Sequence, residues 1–265
     1  MLRLLAILAC LAVTLPAQAA TLCTLVADSR TGAILIEEGA GCDTPTTPAS
    51  TFKVPLAVMG FDAGFLTDAH HPALPFVEGY ADWGGDEWRQ TTDPLRWMDY
   101  SVVWYSQAIT RALGAARLAD YARAFDYGNV DFTGDPGAGN GLERSWISSS
   151  LKLTPRQQLA FMSRLVNRQL PVSAQAMETT LSIMQKREAD GWQFIGKTGS
   201  AFPRRANFSF DRARGWGWYI GAASKGEQTL VFVRLIQDEG REAISGGLRA
   251  RDAFVAEWPD LMARR

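Results

Sequence analysis

Histidine is nearly absent from this chain. Its 265 residues include only two, His70 and His71, which are adjacent in a proline-containing loop with no third ligand close by. A zinc site needs at least three protein ligands, so the sequence predicts no metal site. No histidine is placed to complete a Ser–His–Asp triad either. Any nucleophilic serine in this protein must therefore be activated by another group.

Charge of one sign is not concentrated anywhere in the sequence. The formal net charge is −1, and no run of five like charges occurs. Nucleic acids and anionic membranes bind clustered basic surfaces, so neither is an expected partner. No internal repeat or low-complexity segment is visible. The composition, 47% hydrophobic and 21% charged, is typical of a globular protein with a sizeable core.

Long apolar runs are limited to the start of the chain. Leu4 to Leu15 is apolar after a basic residue at Arg3, and Ala17-Gln18-Ala19 is a small-x-small cleavage site. The run is too short for a helix that stays in the membrane. We therefore predict that residues 1–19 are a signal peptide. The mature protein is expected to be periplasmic or secreted, soluble, and without stable membrane association.

Cysteine is scarce, with three residues in the whole chain. Removal of the signal peptide takes away Cys10 and leaves Cys23 and Cys42. Exported proteins meet an oxidising environment, in which two cysteines favour a disulfide. A strand-like hairpin over residues 22–37 brings Cys42 back toward Cys23. We predict a bridge between them, with two buried free thiols as the alternative.

Strand-like segments lie at both ends of the chain and helical segments lie between them. The later strand-like segments are 192–197, 216–223 and 228–236. Helices are predicted over 50–65, 97–113 and 115–125, from a capping box at Thr154, from Ser173 to about Arg187, and from about Gly247. This order predicts an α/β (α+β) fold, in which one antiparallel sheet is built from both termini and flanked by helices.

The same order predicts two interleaved domains. Residues 20–55 and 185–265 form the sheet domain, and residues 56–184 form an inserted all-helical domain. The active site is expected in the cleft between them.

The segment Ser50-Thr51-Phe52-Lys53 begins a helix that is apolar on nearly every face and is therefore predicted to be buried. Residues three apart share a helix face, so the Ser50 hydroxyl and the Lys53 amine are predicted neighbours. Apolar surroundings lower the pKa of a lysine, and a neutral amine can activate a serine. The first-turn amide of Ser50 is free to stabilise an oxyanion. Taken alone, the pattern also fits a capped helix with a solvated lysine.

A second motif, Lys197-Thr198-Gly199, closes the strand-like segment that begins at Trp192. A lysine at a strand end places a positive charge at a cleft mouth, and Gly199 lets a substrate backbone lie close to the strand. Taken alone, this motif fits any turn after a strand. The two motifs together, about 145 residues apart, resemble those of the serine β-lactamases and penicillin-binding proteins.

A third motif indicates the class. Ser101-Val102-Val103 has an apolar residue where the commonest serine β-lactamases have the amide of Ser-Asp-Asn. The pattern resembles class D (OXA-type) β-lactamases. The resemblance spans essentially the whole mature chain. It continues through Tyr127-Gly128-Asn129, Trp146, the segment 149–153, and Gly215-Trp216-Gly217-Trp218-Tyr219-Ile220-Gly221.

The resemblance implies hydrolysis of β-lactam antibiotics through an acyl-enzyme on Ser50, and thereby antibiotic resistance. Lys53 would be N-carboxylated by carbon dioxide and act as general base in acylation and deacylation, without a metal or another cofactor. Trp146 would donate its indole N–H to the carboxylated lysine, and Val103 and Ile147 would shield it from water.

The remaining implied roles concern the leaving nitrogen and the substrate. Ser101 and Lys197 would relay the proton to the leaving nitrogen. The amides of Ser50 and Ser200 would form the oxyanion hole. Thr198 and Arg249 would hold the substrate carboxylate. Tyr127 and Asn129 look structural.

Three points stay open at this stage. A penicillin-binding sensor or DD-peptidase-like transpeptidase would share the motifs but form a long-lived acyl-enzyme. A binding protein without turnover is the alternative from another class. The basic insertion 201–214, which contains Arg204, Arg205 and Arg212, is predicted to be a solvated loop, with a place at the cleft rim as the alternative.

Overall fold

The computed structural model describes residues 19–265. The predicted signal peptide, including Cys10, falls on residues outside the described part of the chain, except for Ala19. Within residues 19–265, no helix combines the length and apolar character needed to cross a membrane.

A six-stranded antiparallel sheet forms the centre of the molecule, in the order β2-β1-β6-β5-β4-β3. The strands are β1 (Ala20–Asp28), β2 (Ile34–Glu38), β3 (Gln185–Ala189), β4 (Trp192–Ala201), β5 (Trp216–Lys225) and β6 (Gln228–Gln237). The first strand pairs with the last, from Ala20↔Gln237 to Asp28↔Leu230. Both ends of the chain therefore build one sheet, as the sequence predicted.

Helices cover both faces of this sheet. They are α1 (Lys53–Asp62), α2 (Pro94–Tyr100), α3 (Val103–Ala124), α4 (Gly141–Arg144), α5 (Pro155–Val166), α6 (Ala174–Ile183) and α7 (Gly246–Ala263). One core lies between the sheet and the helices that precede β3, and a second lies under α7, where Phe254 and Trp258 pack against Phe232 of β6. The division into two domains stays a prediction.

The N-terminal hairpin is tied to the segment that leads to Ser50. Cys23 in β1 and Cys42 are both buried, and their sulfur atoms form a disulfide. The backbone N–H of Arg156, at the start of α5, donates to the carbonyl of Cys42 at 3.2 Å. The capping box predicted at Thr154 is present at the start of this helix.

Several predicted boundaries are wrong. The helix predicted over 97–113 is two helices, because Ser101 has a left-handed backbone (φ 60°) that ends α2. The helix predicted to reach Arg187 ends at Ile183, and an edge strand follows. The Lys197-Thr198-Gly199 motif lies inside β4 rather than at its end, since pairing with β5 continues to Ala201.

Candidate active site

The turn that carries Ser50 has a constrained backbone. The α-helix predicted to begin at Ser50 begins at Lys53 instead, and a 3₁₀ turn spans Ala49–Phe52. Ala49, buried just before the serine, has φ of 51°, a conformation that costs energy in a residue with a side chain. Its N–H donates to the carbonyl of Trp146 at 3.0 Å. These contacts hold Ser50, itself half-buried, at the edge of the helical core.

Lys53 lies one 3₁₀ turn after the serine and is 1% exposed. Its Nζ is buried and has no hydrogen-bond partner among residues 19–265. Burial lowers the pKa of this amine well below its ordinary value, and the nearby charge of Lys197 lowers it further. The neutral amine is therefore favoured at Lys53, as the apolar sequence around it predicted.

Aromatic and aliphatic side chains form the core next to the segment that carries this lysine. The rings of Phe52 and Trp146 stack, with their centroids 5.3 Å apart. Trp146 and Val103 are buried, and Ile147 packs against the same core from a partly buried position. Trp146, the predicted hydrogen-bond donor, and Val103 and Ile147, the predicted shields, thus belong to the same core as Phe52 and Val54, the neighbours of Lys53 in the chain.

Ser101 lies between α2 and α3. Its Oγ is buried and has no hydrogen-bond partner in the described part of the chain. The next residue anchors the turn, because the N–H of Val102 donates to the carbonyl of Trp97 at 3.2 Å. A buried hydroxyl without a partner is rare in folded proteins, and a catalytic role is one of its known explanations.

Lys197 is fully buried in β4, and its Nζ donates to the carbonyl of Thr198 at 3.2 Å. Burial lowers the pKa of this lysine to about 7. The negative charge of Asp99 raises this pKa, and the positive charge of Arg251 lowers it. Lys197 can therefore change its protonation state near neutral pH. That property suits a group that passes a proton to a leaving nitrogen.

Gly199 and Ser200 of β4 pack against neighbouring segments. A Cβ atom on Gly199 would lie 2.9 Å from the carbonyl oxygen of Pro48 and 3.1 Å from the amide nitrogen of Thr51. This glycine therefore lets β4 lie directly against the turn that carries Ser50. The Oγ of Ser200 accepts from the N–H of Gly247 at 2.8 Å, which joins the same strand to the start of α7.

Arg249 is held by protein groups. Its Nε donates to the carbonyl of Ile244 at 3.0 Å, and its Nη2 pairs with the carboxylate of Asp238. The side chain of Asp238 is only 5% exposed. The carboxylate therefore offsets part of the charge that Arg249 could offer to a substrate.

A buried polar network below the serine was missing from the sequence analysis. The Oγ1 of Thr51 donates to the carbonyl of Pro48 at 2.7 Å and accepts from Nε2 of Gln158 at 2.6 Å. The hydroxyl of Tyr127 donates to Oε1 of Gln158 at 3.3 Å. Gln158 lies on the apolar face of α5, because Phe161 and Met162 follow it by three and four residues. A glutamine on an apolar helix face is the sequence feature that could have predicted this buried network.

Asn129 braces a loop rather than the serine. Its Nδ2 donates to the carbonyl of Ser150 at 2.9 Å, and its N–H donates to the carbonyl of Lys152. The structural interpretation of Tyr127 and Asn129 agrees with these contacts.

Comparisons with known proteins identify the family of this chain. The penicillin binding protein transpeptidase domain family matches residues 22–258. β-Lactamase OXA-9 of Klebsiella pneumoniae is 39% identical over 244 residues, which are 92% of this chain and 89% of OXA-9. β-Lactamase OXA-1 of Escherichia coli is 34% identical over 232 residues, 86% of this chain and 80% of OXA-1.

A solved structure extends the likeness to three dimensions. The crystal structure of the class D β-lactamase OXA-427 has a TM-score of 0.85 and 45% sequence identity to this chain, and the match covers 92% of this chain and 99% of OXA-427. Identity at this level over nearly the full length of both proteins goes beyond a shared fold. The chain belongs to the class D β-lactamases, within the penicillin-binding transpeptidase family.

Proposed function

We propose that this chain hydrolyses the β-lactam ring of penicillin- and cephalosporin-type antibiotics through an acyl-enzyme on Ser50, and so confers resistance to them. The Lys53 amine is the observation that carries the proposal. It is buried next to the serine turn, without a hydrogen-bond partner among residues 19–265, and burial lowers its pKa. A neutral amine is the form that can accept a proton or react with carbon dioxide.

Lys53 fits the carboxylated lysine of class D enzymes. Carbon dioxide adds to an uncharged amine with loss of one proton, and the buried, unpartnered Nζ favours the uncharged form. A carboxylated Lys53 would supply the general base of the reaction. Trp146 would donate its indole N–H to the carboxylated lysine, and Val103 and Ile147, which belong to or pack against the same core, would shield it from water.

The other residues have roles along the reaction. Ser50 Oγ attacks the lactam carbonyl carbon, and its proton passes to the general base at Lys53. The amides of Ser50 and Ser200 donate hydrogen bonds to the oxygen on which negative charge develops. The C–N bond then breaks, and the nitrogen receives a proton through Ser101 and Lys197. Attack by water on the ester releases the product and restores Ser50.

The substrate carboxylate would be bound by Thr198, Lys197 and Arg249. Because Asp238 pairs with Arg249, we infer that Thr198 and Lys197 supply the larger share of this binding. The carboxylate in turn favours the ammonium form of Lys197.

The test is hydrolysis of a chromogenic cephalosporin by the protein without its predicted signal peptide, in degassed buffer and with added bicarbonate. We expect sustained turnover that bicarbonate stimulates. A stoichiometric burst that stops would identify a penicillin-binding protein that acylates at Ser50 without fast release. Absence of both burst and turnover would contradict the assignment of Ser50.

A further inference from the structure

The guanidinium of Arg204 contacts three separate segments. Its Nη2 lies 3.3 Å from each carboxylate oxygen of Asp135, its Nη1 donates to the carbonyl of Phe208 at 2.8 Å, and its Nε donates to the carbonyl of Ser148 at 3.4 Å. Its Cζ lies 4.1 Å from the centroid of the Phe210 ring. The side chain is 26% exposed, so the expectation of a solvated arginine at this position is wrong.

Asp135 is a fixed partner for this arginine. Its carboxylate accepts from the Oγ of Ser149 at 2.8 Å and from Nδ2 of Asn140 at 3.2 Å. Nε of Arg144 lies 3.9 Å from the same carboxylate. The loop that contains Asp135 therefore has contacts of its own in addition to those with Arg204.

Ser148 connects Arg204 to the serine turn. Its Oγ accepts from the N–H of Phe202, and its own N–H donates to Oγ1 of Thr47, both at 3.2 Å. Oγ1 of Thr47 donates to the carbonyl of Trp146 at 2.8 Å. Ser148 has φ of 53°, and a non-glycine residue keeps such a backbone only where its surroundings impose it.

Open space separates much of the two loops that Arg204 joins. A cavity of about 1080 Å³ lies between the 202–208 segment and the segments 131–137 and 148–150, and both Arg204 and Asp135 line it. Across this space, the polar contacts of Arg204 with Asp135 and Ser148 join the 202–208 segment to the other two segments, together with the bond from the N–H of Phe202 to Ser148.

We infer that Arg204 is a positioning residue that holds the Trp146 ring against Phe52, the residue before Lys53, and thereby retains the carboxyl group on Lys53. The inference rests on the proposed function. The carbonyl of Ser148 is two residues after Trp146, whose ring stacks on Phe52 immediately before the lysine. Loss of Arg204 releases the backbone of residues 146–148, loosens this stack, and lets water reach the amine.

The test compares Arg204→Ala with Arg205→Ala in the full mature protein. Arg205 is the adjacent arginine of the same segment, is 55% exposed and pairs with Asp211, so it is a matched control. Two quantities are measured: the ¹³C NMR carbamate signal in ¹³C-bicarbonate, and the bicarbonate concentration that gives half-maximal activity. For Arg204→Ala we expect a weaker signal and a half-maximal concentration raised about tenfold, the scale of a lost supporting contact.

Asp135→Asn keeps the shape of the loop and removes the charge that Arg204 binds. We expect a smaller shift in the same direction, while Arg205→Ala matches the wild type. If Arg204→Ala folds, as circular dichroism would show, and behaves as Arg205→Ala in both measurements, the inference is overturned. A wild-type protein with neither a carbamate signal nor bicarbonate dependence would instead overturn the proposed role of Lys53.

Discussion

At the scale of single residues, the burial of Lys53 lowers the stability of the folded protein and at the same time prepares the amine for its proposed chemistry. A buried amine is disfavoured in its charged form, and this one has no hydrogen bond within residues 19–265 to offset the loss of water. An apolar side chain of similar length at this position would give a larger free energy of unfolding. A group of this kind is retained where activity requires it.

We expect Lys53→Met to lose turnover and to unfold at higher urea concentration than the wild type in buffer free of carbon dioxide. The folded-state pKa of Lys53 lies well below 10.5, so the unfolded state binds more protons between the two values. Wild-type stability therefore rises with pH in that window. The advantage of the variant should be about 1–2 kcal/mol near neutral pH and should shrink toward pH 10.

Lys152→Met is the control for this measurement, because Lys152 is exposed. It should change neither turnover nor the dependence of stability on pH. Normal steady-state hydrolysis by Lys53→Met would contradict the assigned role of the lysine.

The pKa of Lys197 predicts the pH at which kcat/KM falls on the alkaline side of its pH profile. Burial lowers it to about 7, so kcat/KM should fall as pH rises through about 7 and the ammonium is lost. Asp99 favours the ammonium, whereas Arg251 opposes it. Asp99→Asn should therefore move the alkaline limb to lower pH, by about one unit.

Asp86→Asn is the control variant for Asp99→Asn, because the side chain of Asp86 is 96% exposed. Rates are measured from about pH 5 to 10 at saturating bicarbonate. An alkaline limb that stays in place in Asp99→Asn would show that Lys197 does not set it.

Motif residues and supporting residues differ in how well the sequence predicts them. The burial of Lys53 follows from the apolar residues around it, which the sequence shows directly. The contact of Arg249 with Asp238 joins a helix to the end of a strand, and the contact of Thr51 with Gln158 joins residues that are far apart in the chain. Such pairs depend on tertiary packing, which spacing does not reveal.

At the scale of secondary-structure elements, the approach of β4 to the Ser50 turn determines the geometry of the site. Gly199 permits that approach, because a Cβ there would lie 2.9 Å from the carbonyl oxygen of Pro48. The backbone of β4 on one side of this contact is fixed in the sheet, and the backbone of the Ser50 turn on the other side is continuous with α1. The separation between the serine and Lys197 therefore depends on this contact.

We expect Gly199→Ala to lower kcat/KM by about a hundredfold, because the added methyl group displaces the Ser50 turn from β4. The free energy of unfolding should fall by about 1–3 kcal/mol, the usual cost of overpacking. Gly240→Ala is the matched control, since a Cβ there meets no atom within 4 Å. Steady-state kinetics and urea unfolding of both variants test this, and equal rates in the two would contradict the role of the contact.

The errors in predicted elements have physical causes. Gln185–Ala189 is polar and mostly exposed, so its pattern shows no buried strand face, and only pairing with β4 makes it a strand. The apolar residues around Ser101 continue a helical pattern across 97–113, although the serine adopts a left-handed backbone. A single residue with an unusual φ is invisible to periodicity, and here it is the serine proposed to pass a proton to the leaving nitrogen.

At the scale of the whole molecule, both ends of the chain must meet before the site exists. β1 pairs with β6 in the middle of the sheet, and β4 reaches the serine turn only from that sheet. Strands at both ends with helices between them predicted this closure. The disulfide adds a second connection, from β1 to the segment that leads into the site.

We expect the double variant Cys23→Ala/Cys42→Ala to lose about 3 kcal/mol of unfolding free energy, because the bridge no longer restricts a loop of 19 residues in the unfolded chain. Its activity at low temperature should be close to wild type, since Trp146 and Gln158 hold the serine turn independently. Reductant should lower wild-type stability to that of the variant and leave the variant unchanged. A variant as stable as the oxidised wild type would show that the hairpin is held by sheet pairing alone.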